Sequence, residues 1–154
     1  MSVYDKLKEL GIELPEANAP AAMYSPGVRA GGFVYTAGQT PKKDGKLQYT
    51  GKLGRDLDEA QGKDAARLCA LSCLAIVERE TGGLDNVERI VKLTGYVNSA
   101  PDFTRQSQVI DGASELLYAV FGEAGAHARS AVGCAVLPGD AACEVELIVK
   151  LKNE

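Results

Sequence analysis

The sequence predicts an α+β fold, a mixed β-sheet with two helices packed on one face. Apolar residues alternate at both ends of the chain, while two long segments between them repeat apolar residues every three to four positions. The resulting order is strand, strand, helix, strand, helix, strand, strand, and short connections then leave both helices on the same side of one sheet. The 154 residues contain no internal repeats or low-complexity linkers. They read as a single domain, 1–154, with a short N-terminal helical extension over about 1–20.

Val3, Leu7 and Leu10 share a helical face, so the chain opens on a short amphipathic helix stopped by Gly11. A Pro- and Ala-rich loop follows, from Leu14 to Pro20. Ala22 to Arg29 and Phe33 to Ala37 form a hairpin turned by Gly31-Gly32, and Gly38-Gln39-Thr40-Pro41 ends its second strand. No helix follows Gly31-Gly32, so the pair is a turn and offers no phosphate loop. Lys42 to Arg55 is rich in Gly and Lys and accommodates a small hairpin around Tyr49-Thr50-Gly51. From Asp56 to Glu80 the pattern is helical, with Ala65, Cys69, Cys73, Ile76 and Val77 on one stripe and Thr81-Gly82-Gly83 as the stop. Glu88 to Asn98 is β-branched and aromatic, a strand with Val91, Leu93 and Val97 on one face. Pro101-Asp102 starts a second helix whose apolar line runs through Phe103, Ile110, Ala113, Leu117 and Phe121 to a stop near Gly122.

Two strands close the chain, joined by the turn Leu137-Pro138-Gly139-Asp140. In the first, Arg129 shares its face with Ala131, Gly133 and Ala135, side chains too small to fill space, while Val132, Cys134 and Val136 point toward the core. In the second, Cys143, Val145, Leu147, Val149 and Leu151 form the apolar face and leave Glu144 and Glu146 on the other. A guanidinium beside vacancies and two carboxylates thus share the face turned away from the core. That face is too polar for a second core and too sparse for a helix layer, so another copy of the chain is expected to cover it.

Hydrophobic residues make up 45% and charged residues 25%, and the formal net charge of −4 lacks the basic excess that phosphate-backbone binding requires. Nucleic acid is therefore a poor partner. The chain shows neither the order of a signal peptide nor an apolar run of about 18 residues. Its four cysteines have no zinc-ligand spacing. A cytoplasmic protein with reduced thiols is expected, and Cys69 and Cys73, one turn apart on an apolar stripe, read as buried thiols rather than metal ligands.

Taken in order, Tyr24-Ser25-Pro26-Gly27-Val28, Ala37-Gly38-Gln39-Thr40-Pro41, Asp102-Phe103, Ala128-Arg129-Ser130-Ala131, Leu137-Pro138 and Glu144-Val145-Glu146 resemble the YjgF/RidA superfamily, the endoribonuclease L-PSP-like proteins. The resemblance spans about Tyr24 to Leu151. It implies a chorismate-mutase-like mixed sheet with two helices on one face, assembled as a homotrimer with clefts between subunits. In the deaminase members it places a substrate-carboxylate clamp at Arg129, a water-orienting glutamate at Glu144 and a cleft-lining tyrosine at Tyr24, with Gly38 and Ala131 completing the substrate-binding set. The chain departs from the well-known deaminases at Ala37, where they have Ser, at Ala131, where Cys is frequent, and near Gln106-Ser107-Gln108, where their usual Asn is missing. With its N-terminal helix and the additions around Lys42 to Arg55, it resembles a divergent, longer subgroup.

The chemistry this implies is hydrolysis of reactive 2-enamino and 2-imino acids to 2-keto acids and ammonia. A guanidinium fork suits the substrate carboxylate, each charge-assisted hydrogen bond contributing roughly 1.5–3 kcal/mol. The attacked carbon is already electrophilic, so placement and one acid/base carboxylate, Glu144, suffice without a metal or cofactor. Glu146, roughly 6.6 Å further along the strand, is expected to pair instead with a basic residue of a neighbouring subunit. Two other classes stand beside this one, a non-catalytic trimeric binder of small carboxylates or ketoacids and an endoribonuclease or translation inhibitor. His127, the only histidine, has a near-neutral unperturbed pKa and abuts Arg129, but a surface or interface role is expected for it.

Overall fold

The computed structural model describes residues 1–19 and 23–153. The expected start of the first hairpin at Ala22 lies outside them, as does Pro20 at the end of the preceding loop. Helix α1 (Val3–Glu9) begins with a reciprocal cap, Ser2 Oγ accepting from Asp5 N at 3.1 Å and Asp5 Oδ2 from Ser2 N at 3.0 Å. Its Leu7 reaches the core, and Val3 N and Tyr4 Oη tie the helix to residues 78–85. Strands β1 (Gly27–Ala30) and β2 (Phe33–Thr36) form the expected hairpin, with Gly31 and Gly32 at φ +57° and +79°, angles that side chains resist.

The small hairpin is displaced from its expected place. Strands β3 (Lys42–Lys43) and β4 (Lys46–Leu47) turn at Asp44-Gly45, both with positive φ, while Thr50 bridges to Ala141 in the loop before the last strand. Asp-Gly is the stronger hairpin signal, and it outweighs Tyr-Thr-Gly.

Helix α2 (Glu59–Thr81) starts on an Asp58/Gln61 capping box and ends on left-handed Gly82. All five residues of its expected stripe are buried. In strand β5 (Val87–Asn98) the buried face is Leu93, Gly95 and Val97, with Ile90 inward before them. Val91 is not on that face, because the register slips between Ile90 and Lys92 and a bulge shifts the alternation. Helix α3 runs from Gln106 to Phe121, later than expected, since residues 101–105 form a turn and Phe103 only flanks the core.

Strands β6 (Ala128–Cys134) and β7 (Cys143–Leu151) are not a hairpin. The sheet order is β1-β2-β7-β5-β6, so β5 separates them, antiparallel to β7 and parallel to β6. The chain crosses over through α3 to place β6 beside β5, as parallel strands require. Both long helices lie on one face: Cys73 Sγ reaches Val145 O at 3.2 Å, and a Cβ on Gly95 would stand 2.6 Å from Ile110 Cδ1. Val132, expected toward the core, is 46% exposed because the helix-facing positions of edge strand β6 are Arg129, Ala131 and Gly133, and Val136, also expected inward, lies beyond the end of β6 at 71% exposure.

Candidate functional site

Strand β7 alternates strictly, burying Cys143, Val145 and Leu147 beneath the helices and turning Glu144 and Glu146 to the open face. Glu144 pairs with Tyr96 of β5, and Tyr96 Oη donates to Glu146 Oε1 at 3.3 Å. The segment after β2 is clamped against the same strand, Gln39 N donating to Val145 O at 2.8 Å and Val145 N to Gln39 O at 3.0 Å. This brings Gly38 onto the Glu144 side chain so closely that any Cβ there would collide with the carboxylate. Gln39 is buried, and its side-chain amide holds the turn by donating to the carbonyls of Ala37 and Gly38. Burial under this segment raises the Glu144 carboxyl above its ordinary value, and the like charge of Glu146 adds to the effect.

Arg129 stands elsewhere. It pairs with Leu93, a residue of the helix-facing row, and its guanidinium reaches α3. Nη1 donates to Asp111 Oδ1 at 2.8 Å and to Ser114 Oγ at 3.1 Å, and Nη2 donates to Ser107 O at 3.3 Å. The expectation that Arg129, Glu144 and Glu146 share a face is therefore corrected. It rested on β6 and β7 forming a hairpin with both apolar rows inward, whereas on edge strand β6 the small-residue row carrying Arg129 is the one beneath α3. Ala131 lies in that row opposite Gly95 and packs against the core. Tyr24, before β1, is 54% exposed. The site residues thus fall into two groups within one chain, Glu144 with Gly38 on the open face and Arg129 with Ala131 under α3.

His127 precedes β6 and joins the second group. Its Nδ1 lies 2.6 Å from Gly125 O and its Nε2 2.9 Å from Ser114 Oγ. The carbonyl can only accept, so Nδ1 carries a proton, and Nε2 shares the second hydrogen bond with Ser114 Oγ. Sequence reasoning missed Asp111 and Ser114. Their signal was present, since Ser107, Asp111 and Ser114 recur at i, i+4 and i+7 as a polar line along the helix.

The motifs and the fold now stand together. Residues 5–151 match the family described as "YjgF/chorismate_mutase-like, putative endoribonuclease". The chain belongs to this YjgF family. Among its relatives, Protein TCP17 of Trypanosoma cruzi is 49% identical over 148 residues, covering 96% of this chain and 92% of that one. The RutC family protein slr0709 of Synechocystis is 32% identical over 91% of this chain and 95% of its own length. The crystal structure of Atu1372, a protein of unknown function from Agrobacterium tumefaciens, superposes with a TM-score of 0.91 at 44% identity, over 97% of this chain and 92% of that one. As in other YjgF structures, the fold is a mixed α+β sheet carrying helices. Among the described residues of this YjgF family member, no cluster of three His, Cys, Asp or Glu side chains is disposed to hold a metal, and no helix is long and apolar enough to cross a membrane.

Proposed function

We propose that the protein hydrolyses 2-imino acids to 2-keto acids and ammonia, with Glu144 as the acid/base carboxylate and Arg129 as the anchor for the substrate carboxylate. The observation that carries this reading is Glu144 itself, a half-buried carboxylate wedged against a glycine, with a proton affinity raised by burial and by Glu146. A carboxyl so placed can exchange a proton with a departing amine and orient the attacking water. Because Arg129 and Glu144 lie on opposite sides of the sheet, one substrate reaches both only where two copies of the chain meet. A homotrimer with the site in each intersubunit cleft meets that requirement, with Tyr24, Gly38 and Ala131 as its lining. A small-carboxylate binder without turnover is the second reading, favoured by a structure of E. coli TdcF with bound serine, 28% identical to this chain with a TM-score of 0.58.

The deciding measurement is ketoacid release from imines generated by an amino-acid oxidase, with semicarbazide as the trap. Glu144→Gln keeps the size of the side chain and removes the base. It is expected to lower turnover by roughly 10²–10⁴-fold with 2-ketobutyrate affinity nearly unchanged. Wild-type hydrolysis in this variant refutes the assignment, and absence of turnover in the parent protein leaves the binder reading.

A further inference from the structure

The N-terminal segment reaches the open-face site through one side chain. Residues 11–19 form neither helix nor strand, with Ile12 and Leu14 packed against the core, and Arg79 Nη1 of α2 donates to Asn18 O at 3.5 Å. Asn18 Nδ2 donates in turn to Gln39 Oε1 at 3.1 Å, and Gln39 Nε2 donates to Ala37 O at 3.3 Å and to Gly38 O at 3.1 Å. The far end fixes the direction of this relay. Both carbonyls can only accept, so the end of Gln39 that meets them is its nitrogen, its oxygen faces Asn18, and Asn18 has to present its own nitrogen. Gln39 is buried, and Asn18 Nδ2 is the one donor to its Oε1 among the described residues. Without that donor a buried oxygen is left unsatisfied, and the amide gains by turning over.

We propose that Asn18 is a positioning residue for Glu144: by fixing the orientation of the Gln39 amide, it holds the turn at residues 37–39, and Gly38 within it, against the Glu144 carboxylate. The inference rests on Glu144 as the acid/base group and gives the segment before β1 a part in the site. Asn18 acts through the turn. With the Gln39 amide reversed, Oε1 would meet the carbonyls of Ala37 and Gly38, acceptor against acceptor, and the turn would be pushed off β7. Gly38 carries no side chain that could keep the contact as its backbone moves, and it stands close enough to Glu144 that a Cβ would not fit between them. A displaced turn therefore admits water to the carboxylate and frees its rotamers.

The test is an NMR titration of the glutamate carboxyl carbons, with Glu144→Gln identifying the resonance, which reads the contact without turnover. Wild-type Glu144 is expected to titrate above the ordinary carboxylate value, because burial and Glu146 penalise its charge. Tyr96 on β5 and the buried Cys69 and Cys73 thiols on α2 also surround it, all with raised proton affinity and neutral over the carboxylate range. In the proposed cleft Arg129 of the next copy faces it as well, and these groups are common to every variant. Asn18→Ala is expected to bring the Glu144 titration down toward the ordinary value. It is also expected to lower kcat for imine hydrolysis roughly 10- to 100-fold with KM nearly unchanged, since Arg129 is untouched. Asn18→Leu, of similar size and without the amide, gives the same result and serves if Asn18→Ala fails to fold. Combined with Gln39→Leu, either variant adds nothing further, whereas a residue that merely tied down the N-terminal segment would add its own loss. A wild-type Glu144 at the ordinary value, a titration that the Asn18 variants leave in place, or additive losses with Gln39→Leu overturn the proposal. A titration that depends on Asn18 in a protein without imine turnover removes Glu144 catalysis and supports the relay.

Discussion

Glu144 shows how one side chain ties burial to pH. Its carboxyl binds a proton more tightly in the folded chain than in the unfolded one, because burial and Glu146 penalise the charged form. Below the ordinary carboxylate value both states are protonated and the group's stabilising contribution is fully present. As pH rises from that value to the raised one, the unfolded chain ionises first and the contribution is lost. Glu144→Gln cannot ionise, so its melting temperature relative to wild type is expected to rise across this window and to level off above it. A difference that stays flat from pH 3 to pH 7, on the order of the whole carboxylate range, would show that the folded environment leaves Glu144 unperturbed. Alternation along β7 alone placed Glu144 on the open face correctly. The partners of Arg129 were not legible in the same way, since they come from a helix that local pattern does not bring next to β6.

At the scale of elements, two contacts hold the helix layer. Leu117 is fully buried on α3, on the apolar line that its spacing marked, and Leu117→Ala is expected to cost about 2–5 kcal/mol in denaturant unfolding. Gly112 has a different role, because a Cβ there would collide with the backbone carbonyl of Lys63 where α3 crosses α2. A backbone atom cannot swing aside as a side chain can, so Gly112→Ala forces the helices apart and is expected to lose at least the roughly 1–3 kcal/mol typical of overpacking. A loss below about 0.5 kcal/mol in either variant, the range of an ordinary surface change, would contradict the packing described. Helix α2 and the first hairpin were legible because capping residues, glycines and period are local signals. The pairing of the closing strands was not. Leu137-Pro138-Gly139-Asp140 has hairpin composition, yet it forms a short helical turn with Gly139 and Asp140 at φ +65° and +57°. Asp140 Oδ1 accepts from the buried Asn98 at 2.9 Å, so the turn is anchored to the end of β5. That anchor is long-range, and β5 itself takes the place that a hairpin would have given to β6.

For the whole molecule, the open sheet face decides the architecture. Val28, Tyr35 and Val132 stand on it at 51%, 45% and 46% exposure, among Tyr96, Glu144 and Glu146. Exposed apolar residues gathered on one sheet face mark an association surface, and the function proposed above requires that association to bring Arg129 of one copy to Glu144 of the next. The requirement can be tested by complementation. Arg129→Lys lacks the fork and Glu144→Gln lacks the base, so each variant alone is expected to show little imine hydrolysis. Co-assembled in equal amounts, a site built from two copies receives its arginine from a Glu144→Gln subunit and its glutamate from an Arg129→Lys subunit at random. About a quarter of the clefts in a cyclic trimer then carry both native residues, and activity returns to about a quarter of wild type. If each site lay within one chain, mixing would restore nothing, because every chain carries one of the two defects. Sedimentation of the same mixture fixes the assembly, and recovered activity in a monomeric sample would contradict the shared cleft as firmly as no recovery in a trimeric one.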